Sequence, residues 1–85
     1  MKQHENMRRL RLAARISHAR RIGCGITQKA LAARCNVRRE EISDIEHAFT
    51  DPDLATLRAI ARELHTTPED LLRPACTYQR VELTE

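Results

Sequence analysis

An all-α bundle of five short helices is the fold that these 85 residues predict. Apolar residues recur three and four apart in successive segments, and turn-forming residues cut those segments at short intervals. The third observation is size. A chain this short has room for one modest core, and a helical bundle is the cheapest way to build it. No apolar run is long enough to span a bilayer, and the basic N-terminus leads into RLRLAARI rather than an uninterrupted apolar stretch. Neither a membrane anchor nor a signal peptide is therefore expected, and the chain reads as cytoplasmic.

The first helix is expected from about Asn6 to Ile22, where Met7, Leu10 and Ala14, and then Leu12, Ile16 and Ala19, repeat at helical spacing. It should end near Gly23-Cys24-Gly25, because glycine is costly inside a helix and easy in a turn. A basic amphipathic helix can also lie on an acidic membrane, but the rest of the chain offers this one a core to pack on. Thr27 stands where an N-cap belongs, ahead of QKALAARC, whose Leu31, Ala32 and Cys35 face inward. Asn36 tolerates the left-handed conformation that ends a helix, so the chain turns sharply and re-enters a helix within two or three residues. Two short helices joined so tightly cross steeply, as in a helix-turn-helix.

That third helix carries Val37, Ile42 and Ile45 on one side. HAFTDPD, residues 47 to 53, reads as a loop because of its X-Pro break and two aspartates. Asp53 caps the fourth helix, LATLRAIAREL, whose Leu54, Leu57, Ile60, Ala61 and Leu64 form the clearest periodic stripe in the chain. Thr67-Pro68-Glu69-Asp70 combines a cap, a proline suited to the first helical position and acids in the first turn, and so starts a last short helix ending near Leu72. Beyond Pro74 the tail alternates weakly, with Val81 and Leu83 on one side, and is expected either as an added strand or as a disordered end. The organisation is thus an extension of the first helix over residues 1–14, a domain over 15–73 and a tail over 74–85.

Several chemistries find no support. Cys24, Cys35 and Cys76 are odd in number and irregular in spacing, which fits neither a disulfide framework nor a CxxC pair. The four histidines show no ligand spacing, no glycine-rich phosphate loop is present, and no nucleophile, base and oxyanion donor are suggested together. No metal site, cofactor, small-molecule ligand or enzymatic activity is expected.

The net charge of +3 conceals a division of the chain. Residues 1–39 hold eleven basic side chains and one acid, whereas the remainder holds four basic side chains and eleven acids. Such a split suggests a dipolar domain that turns one side toward a polyanion, although it also fits two halves that pair with each other.

From about Arg15 to Leu72 the chain resembles the helix-turn-helix domains of phage repressors and Cro. The residues that carry the resemblance are I-T-Q-x-x-L-A at 26–32, V-R-R-x-x-I-S-x-I-E at 37–46, the proline six positions later, and the L-x-x-L-x-x-I-A-x-x-L stripe followed by P-E-D-L-L. It implies a five-helix fold whose third helix enters the DNA major groove, with dimers meeting half-sites about one helical turn, roughly 34 Å, apart. By position, it places Arg38, Arg39, Glu40, Ser43 and Asp44 at the base edges. Thr27, Gln28, Lys29, Arg21 and His47 fall near phosphate, and Gln28 matches the glutamine that opens the second helix.

The chain departs from that pattern in four places. Arg38 replaces the usual Ser or Thr cap, Ala48 stands where glycine is common, the stretch before Ile26 is one residue longer, and Asp51 and Asp53 occupy a loop that is often basic. The resemblance also pairs Glu46 with a first-helix arginine, Arg20 or Arg21; Arg20 is assigned to the pair and Arg21 to phosphate. Glu41 lies on a flank near Arg38, while Glu40 and Asp44 point away from the core with His47. Carboxylates there can accept from cytosine N4 beside an arginine that forks onto guanine.

Two functions of different class follow. One is a homodimeric, sequence-specific DNA-binding transcriptional repressor of a palindromic operator. The other is an antitoxin-like protein-interaction module that turns an acidic surface to a basic partner.

Overall fold

The computed structural model describes residues 2–74, and these form five α-helices without a strand. Helix α1 spans Lys2–His18 and continues through a π-helical segment, Ala19–Cys24; α2 spans Gln28–Cys35, α3 Arg39–Glu46, α4 Leu54–Glu63 and α5 Pro68–Leu72. The tail, for which a strand or a disordered end was expected, lies outside the described residues.

Helix α1 begins four residues earlier than its apolar pattern predicts, and its end is wider. The N–H groups of Gly25 and Ile26 both return to the Arg20 carbonyl, the latter at 3.1 Å, so the closing turns are longer than in an α-helix. Arg20, within this widened turn, faces inward. Gly25 then leaves at φ 66, a left-handed conformation in which a side chain would be strained.

The remaining boundaries follow local chemistry. Thr27 accepts from the Ala30 N–H at 3.0 Å, Asp53 from Thr56 at 2.8 Å and Thr67 from Asp70 at 3.1 Å, so three helices carry side-chain N-caps. Helix α3 does not, because its N-cap is Arg38, which has no acceptor to offer. Asn36 ends α2 at φ 62, and Ala48 takes the same φ after α3. Alanine holds that conformation at a cost of about 1 kcal/mol relative to glycine.

All five helices contribute to one core. Leu12 and Ile16 from α1 meet Leu31 and Cys35 from α2, Ile42 and Ile45 from α3, Leu57, Ile60 and Leu64 from α4, and Leu71 from α5. Burial of each large aliphatic side chain contributes about 1.5–3 kcal/mol. Burial also pushes the Cys35 thiol above its ordinary pKa, aided by Glu63 and opposed by Arg62, which keeps it protonated and inert.

Not every residue of the apolar stripes reaches the core. Met7 and Leu10 are 60% and 57% exposed, and Ala14 is exposed as well. Among the described side chains of α1, Leu12, Ala13 and Ile16 form the stripe that faces the other helices. Leu54 is also exposed, since it stands at the first position of α4, ahead of the turns that reach the core.

Charge fixes the ends. The Arg15 guanidinium donates to the carbonyls of Asp70, Leu71 and Arg73 at 3.3, 2.9 and 2.5 Å, closing the C-terminus of α5 onto α1. Burial, then Arg11 and Arg73, lower the Arg15 pKa. Asp51 lies 3.4 Å from Arg9, and Asp53 caps α4, so both loop aspartates have roles within the fold.

Candidate nucleic-acid interface

The turn between α2 and α3 takes three residues, Asn36 to Arg38. Val37 is half-buried, its N–H bonded to the Ala32 carbonyl at 3.0 Å, and it turns the chain over α2. Helix α3 then buries Ile42 and Ile45 and leaves Arg38, Arg39, Glu40, Glu41, Asp44 and His47 exposed, with Ser43 half-buried. Eight residues at 1.5 Å each make a rod about 12 Å long.

The base of this helix is held by charge. Arg20 forks onto Glu46, Nε to Oε2 at 2.6 Å and a terminal nitrogen to Oε1 at 2.9 Å, and its other terminal nitrogen donates to the Ile26 carbonyl at 2.8 Å. The side chains are only 10% and 4% exposed. Arg21, one residue on, is exposed. The end of α1 thus sets Arg20 against α3 and leaves Arg21 in solvent.

This pair extends to the surface through Gln28. The Gln28 amide nitrogen donates to Glu46 Oε1 at 3.0 Å, and its oxygen accepts from Arg39 at 3.3 Å. A chain of contacts therefore runs from the buried Arg20 to the exposed Arg39. Sequence reasoning assigned Gln28 and Arg39 to different tasks and did not foresee the contact, since eleven residues and a turn separate them.

Thr27 and Lys29 flank Gln28 at the start of α2, where first-turn N–H groups and the positive helix end favour an anion. At the far end of α3, His47 Nδ1 lies 2.7 Å from the Ser43 carbonyl and 3.4 Å from the Ser43 hydroxyl. A carbonyl only accepts, so Nδ1 is the donor in that contact.

The acids divide differently than expected. Glu40 and Glu41 stand in the first turn of α3, where the helix dipole favours them. The repulsion between Glu40 and Asp44 at i, i+4 is thereby partly offset, and Asp44 is the acid whose place helix stability does not favour. Ion pairs among the described residues join Arg20 to Glu46, Arg9 to Asp51, Arg62 to Glu63 and Arg73 to Asp70, so the expected flank pair of Glu41 with Arg38 does not form.

Phe49 was overlooked. It is 72% exposed and stacks on the His47 ring with centroids 5.6 Å apart, extending the outward face of α3 past its end. Its being the chain's one phenylalanine, set in a polar loop, was the available signal.

Two short helices joined by a three-residue turn, the second exposed along one face and supported by the others, define a helix-turn-helix DNA-binding domain. A helix-turn-helix family model matches residues 16–71, and the chain belongs to that family, in its Cro and phage-repressor branch, whose members are DNA-binding regulators. A solved structure described as a hypothetical transcription factor, NHTF, from Neisseria is similar at 27% identity with a TM-score of 0.72. The similarity covers 88% of this chain and 83% of that one. No curated protein matches the chain. No helix among the described residues is long and apolar enough to cross a membrane.

Proposed function

We propose that this chain is a sequence-specific transcriptional repressor that acts in the cytoplasm as a homodimer on a palindromic DNA operator, each copy placing α3 in the major groove. The exposed face of α3, beside the open N-terminus of α2, carries this reading. Arg39 forks onto guanine O6 and N7, held in place by Gln28, while Asp44 and Glu40 accept from cytosine N4. Arg38 and Ser43 complete the base contacts. Thr27, Gln28, Lys29, Arg21 and His47 hold phosphate and set the register of the helix on the duplex. The similar structure from Neisseria, described as a hypothetical transcription factor, supports the same class of function.

The test is selection of a site from random duplex DNA, followed by salt titrations on the selected and scrambled duplexes. A palindromic site, a large ratio between the two affinities and a steep salt slope are the expected result. Arg39→Ala should lose about 1–3 kcal/mol on the selected site and relax one base position. Equal losses on both duplexes would remove Arg39 from the reading set. The exposed acids also fit an antitoxin-like module with a basic protein partner, and that reading gains if no sequence is enriched.

A further inference from the structure

The end of α3 is closed in a way that leaves its aromatic residue without the usual partner. The Ala48 N–H donates to the Ile45 carbonyl at 3.1 Å and the Phe49 N–H to the Asp44 carbonyl at 2.8 Å, with Ala48 left-handed at φ 62. In this paired closure an apolar contact commonly joins the two residues that here are Phe49 and Asp44. Asp44 is an exposed acid and offers no such contact. The phenyl ring is therefore not used to close the helix. It stays 72% exposed and rests on His47, with ring centroids 5.6 Å apart and planes 24° from parallel. His47 is itself anchored, its Nδ1 2.7 Å from the Ser43 carbonyl. Backbone bonds on one side and a stacked ring on the other hold Phe49 in place without burying it.

We propose that Phe49 is a specificity-determining residue that reads the methyl group of a thymine at the edge of the operator half-site, with His47 as its seat. This rests on the DNA-binding reading of α3. Glu40, Asp44 and His47 stand at i, i+4 and i+7, which is one face of the helix, and Phe49 prolongs that row beyond the last turn. Of the groups that a duplex presents to such a row, phosphates are anionic and most base-edge groups are polar; the thymine methyl group and the sugar carbons are apolar. A phenyl ring has no donor for a phosphate. The row faces the base edges rather than the sugars, so the methyl group is the apolar partner in line with it. A ring already held on its neighbour loses little freedom on contact, which preserves the gain from covering that methyl group. Arg39 suits guanine, and Glu40 and Asp44 suit cytosine. Phe49 adds a reader for an A·T pair.

Deoxyuridine in place of thymidine removes the methyl group alone, which makes the contact measurable. In the duplex selected by the full chain, each thymine is replaced in turn and titrated with wild type and with Phe49→Ala. One thymine in each half-site should cost the wild type about fourfold in affinity on losing its methyl group, the worth of one buried group of that size, and should cost Phe49→Ala nothing. At every other thymine the two proteins should respond alike. Because Phe49 is exposed, the alanine variant should keep its melting midpoint. Phe49→Leu, which keeps apolar surface, should retain part of the discrimination. A selected site in which no thymine methyl group matters more to wild type than to Phe49→Ala overturns the role of Phe49 and leaves the DNA-binding reading standing. A Phe49→Ala loss that is equal on selected and scrambled duplexes also overturns it, by giving the ring to the sugars. Failure to select any site overturns the DNA-binding reading, and this inference falls with it.

Discussion

Replacing Glu46 by glutamine probes the joint between core and surface. The Glu46 side chain is 4% exposed and accepts from Arg20 at 2.6 and 2.9 Å and from Gln28 at 3.0 Å. Glutamine keeps the shape, removes the charge and turns an N–H₂ group toward donors. The Arg20 guanidinium, 10% exposed, is left without its counter-charge. Breaking a buried pair from one side costs about 3–5 kcal/mol, and retention of the Ile26 carbonyl contact favours the lower figure. A domain of this size shifts its midpoint by about 4–8 °C per kcal/mol, so a drop of about 12 °C or more is expected. Urea denaturation of both proteins measures it, and an unchanged m-value certifies that the folded and unfolded states are comparable. Arg20→Met with Glu46→Leu should recover most of the loss, because two apolar groups need no partners. That double variant should still bind DNA less selectively, since Gln28 has lost its anchor and Arg39 its support. A Glu46→Gln protein within about 1 kcal/mol of wild type would refute the view that this pair is sealed from water.

Four further outcomes are expected. Ala48→Gly relieves the left-handed strain at φ 62 and should raise stability by about 1 kcal/mol, read as a higher thermal midpoint. Arg38→Ser gives α3 the side-chain cap it lacks, adding about 0.5–1 kcal/mol to folding while weakening binding to the selected duplex; denaturation and titration of one sample read both signs. Deleting Gly23 should turn the widened end of α1 into ordinary helix while Arg20 keeps Glu46, visible in the amide shifts of residues 19–26; loss of the pair would show that the π-helical segment is needed to aim Arg20. The Asp53 carboxylate is held below its ordinary value of 3.8 by the Thr56 backbone N–H and then by the Thr56 side chain. Its folded-state pKa is depressed, so its contribution is present above pH 3.8 and is lost as pH falls through the lowered value. In Asp53→Asn that part of the acid sensitivity should vanish from a pH series of melting midpoints.

Helix number, order and most boundaries were legible because they are set within a few residues. Thr27, Asp53 and Thr67 cap their own helices through N–H groups three positions on, and Asn36 carries its left-handed turn in its side-chain type. The buried stripe of α4 from Leu57 to Leu64 followed from spacing alone. Spacing could not say which of the two stripes on α1 would find a partner; Leu12 and Ile16 are buried, whereas Met7 and Leu10 lie outside the core. Nor could it place Leu54, whose periodicity is right but whose turn of helix precedes the core. The residues of the α3 face were legible by position, but their contacts were not.

The amino-acid order by itself determined a five-helix fold, its caps, its tight turn and a basic half set against an acidic one, because propensity, periodicity and charge are local or additive. Tertiary structure alone decided how Arg20 forks onto Glu46, that Gln28 links that pair to Arg39, and that Arg15 closes α5 from 55 residues away. Those contacts depend on how the end of α1 widens and how the helices cross. A rotation of about 100° per residue separates one arginine from the next, and the packed helices hold Arg20 against the carboxylate.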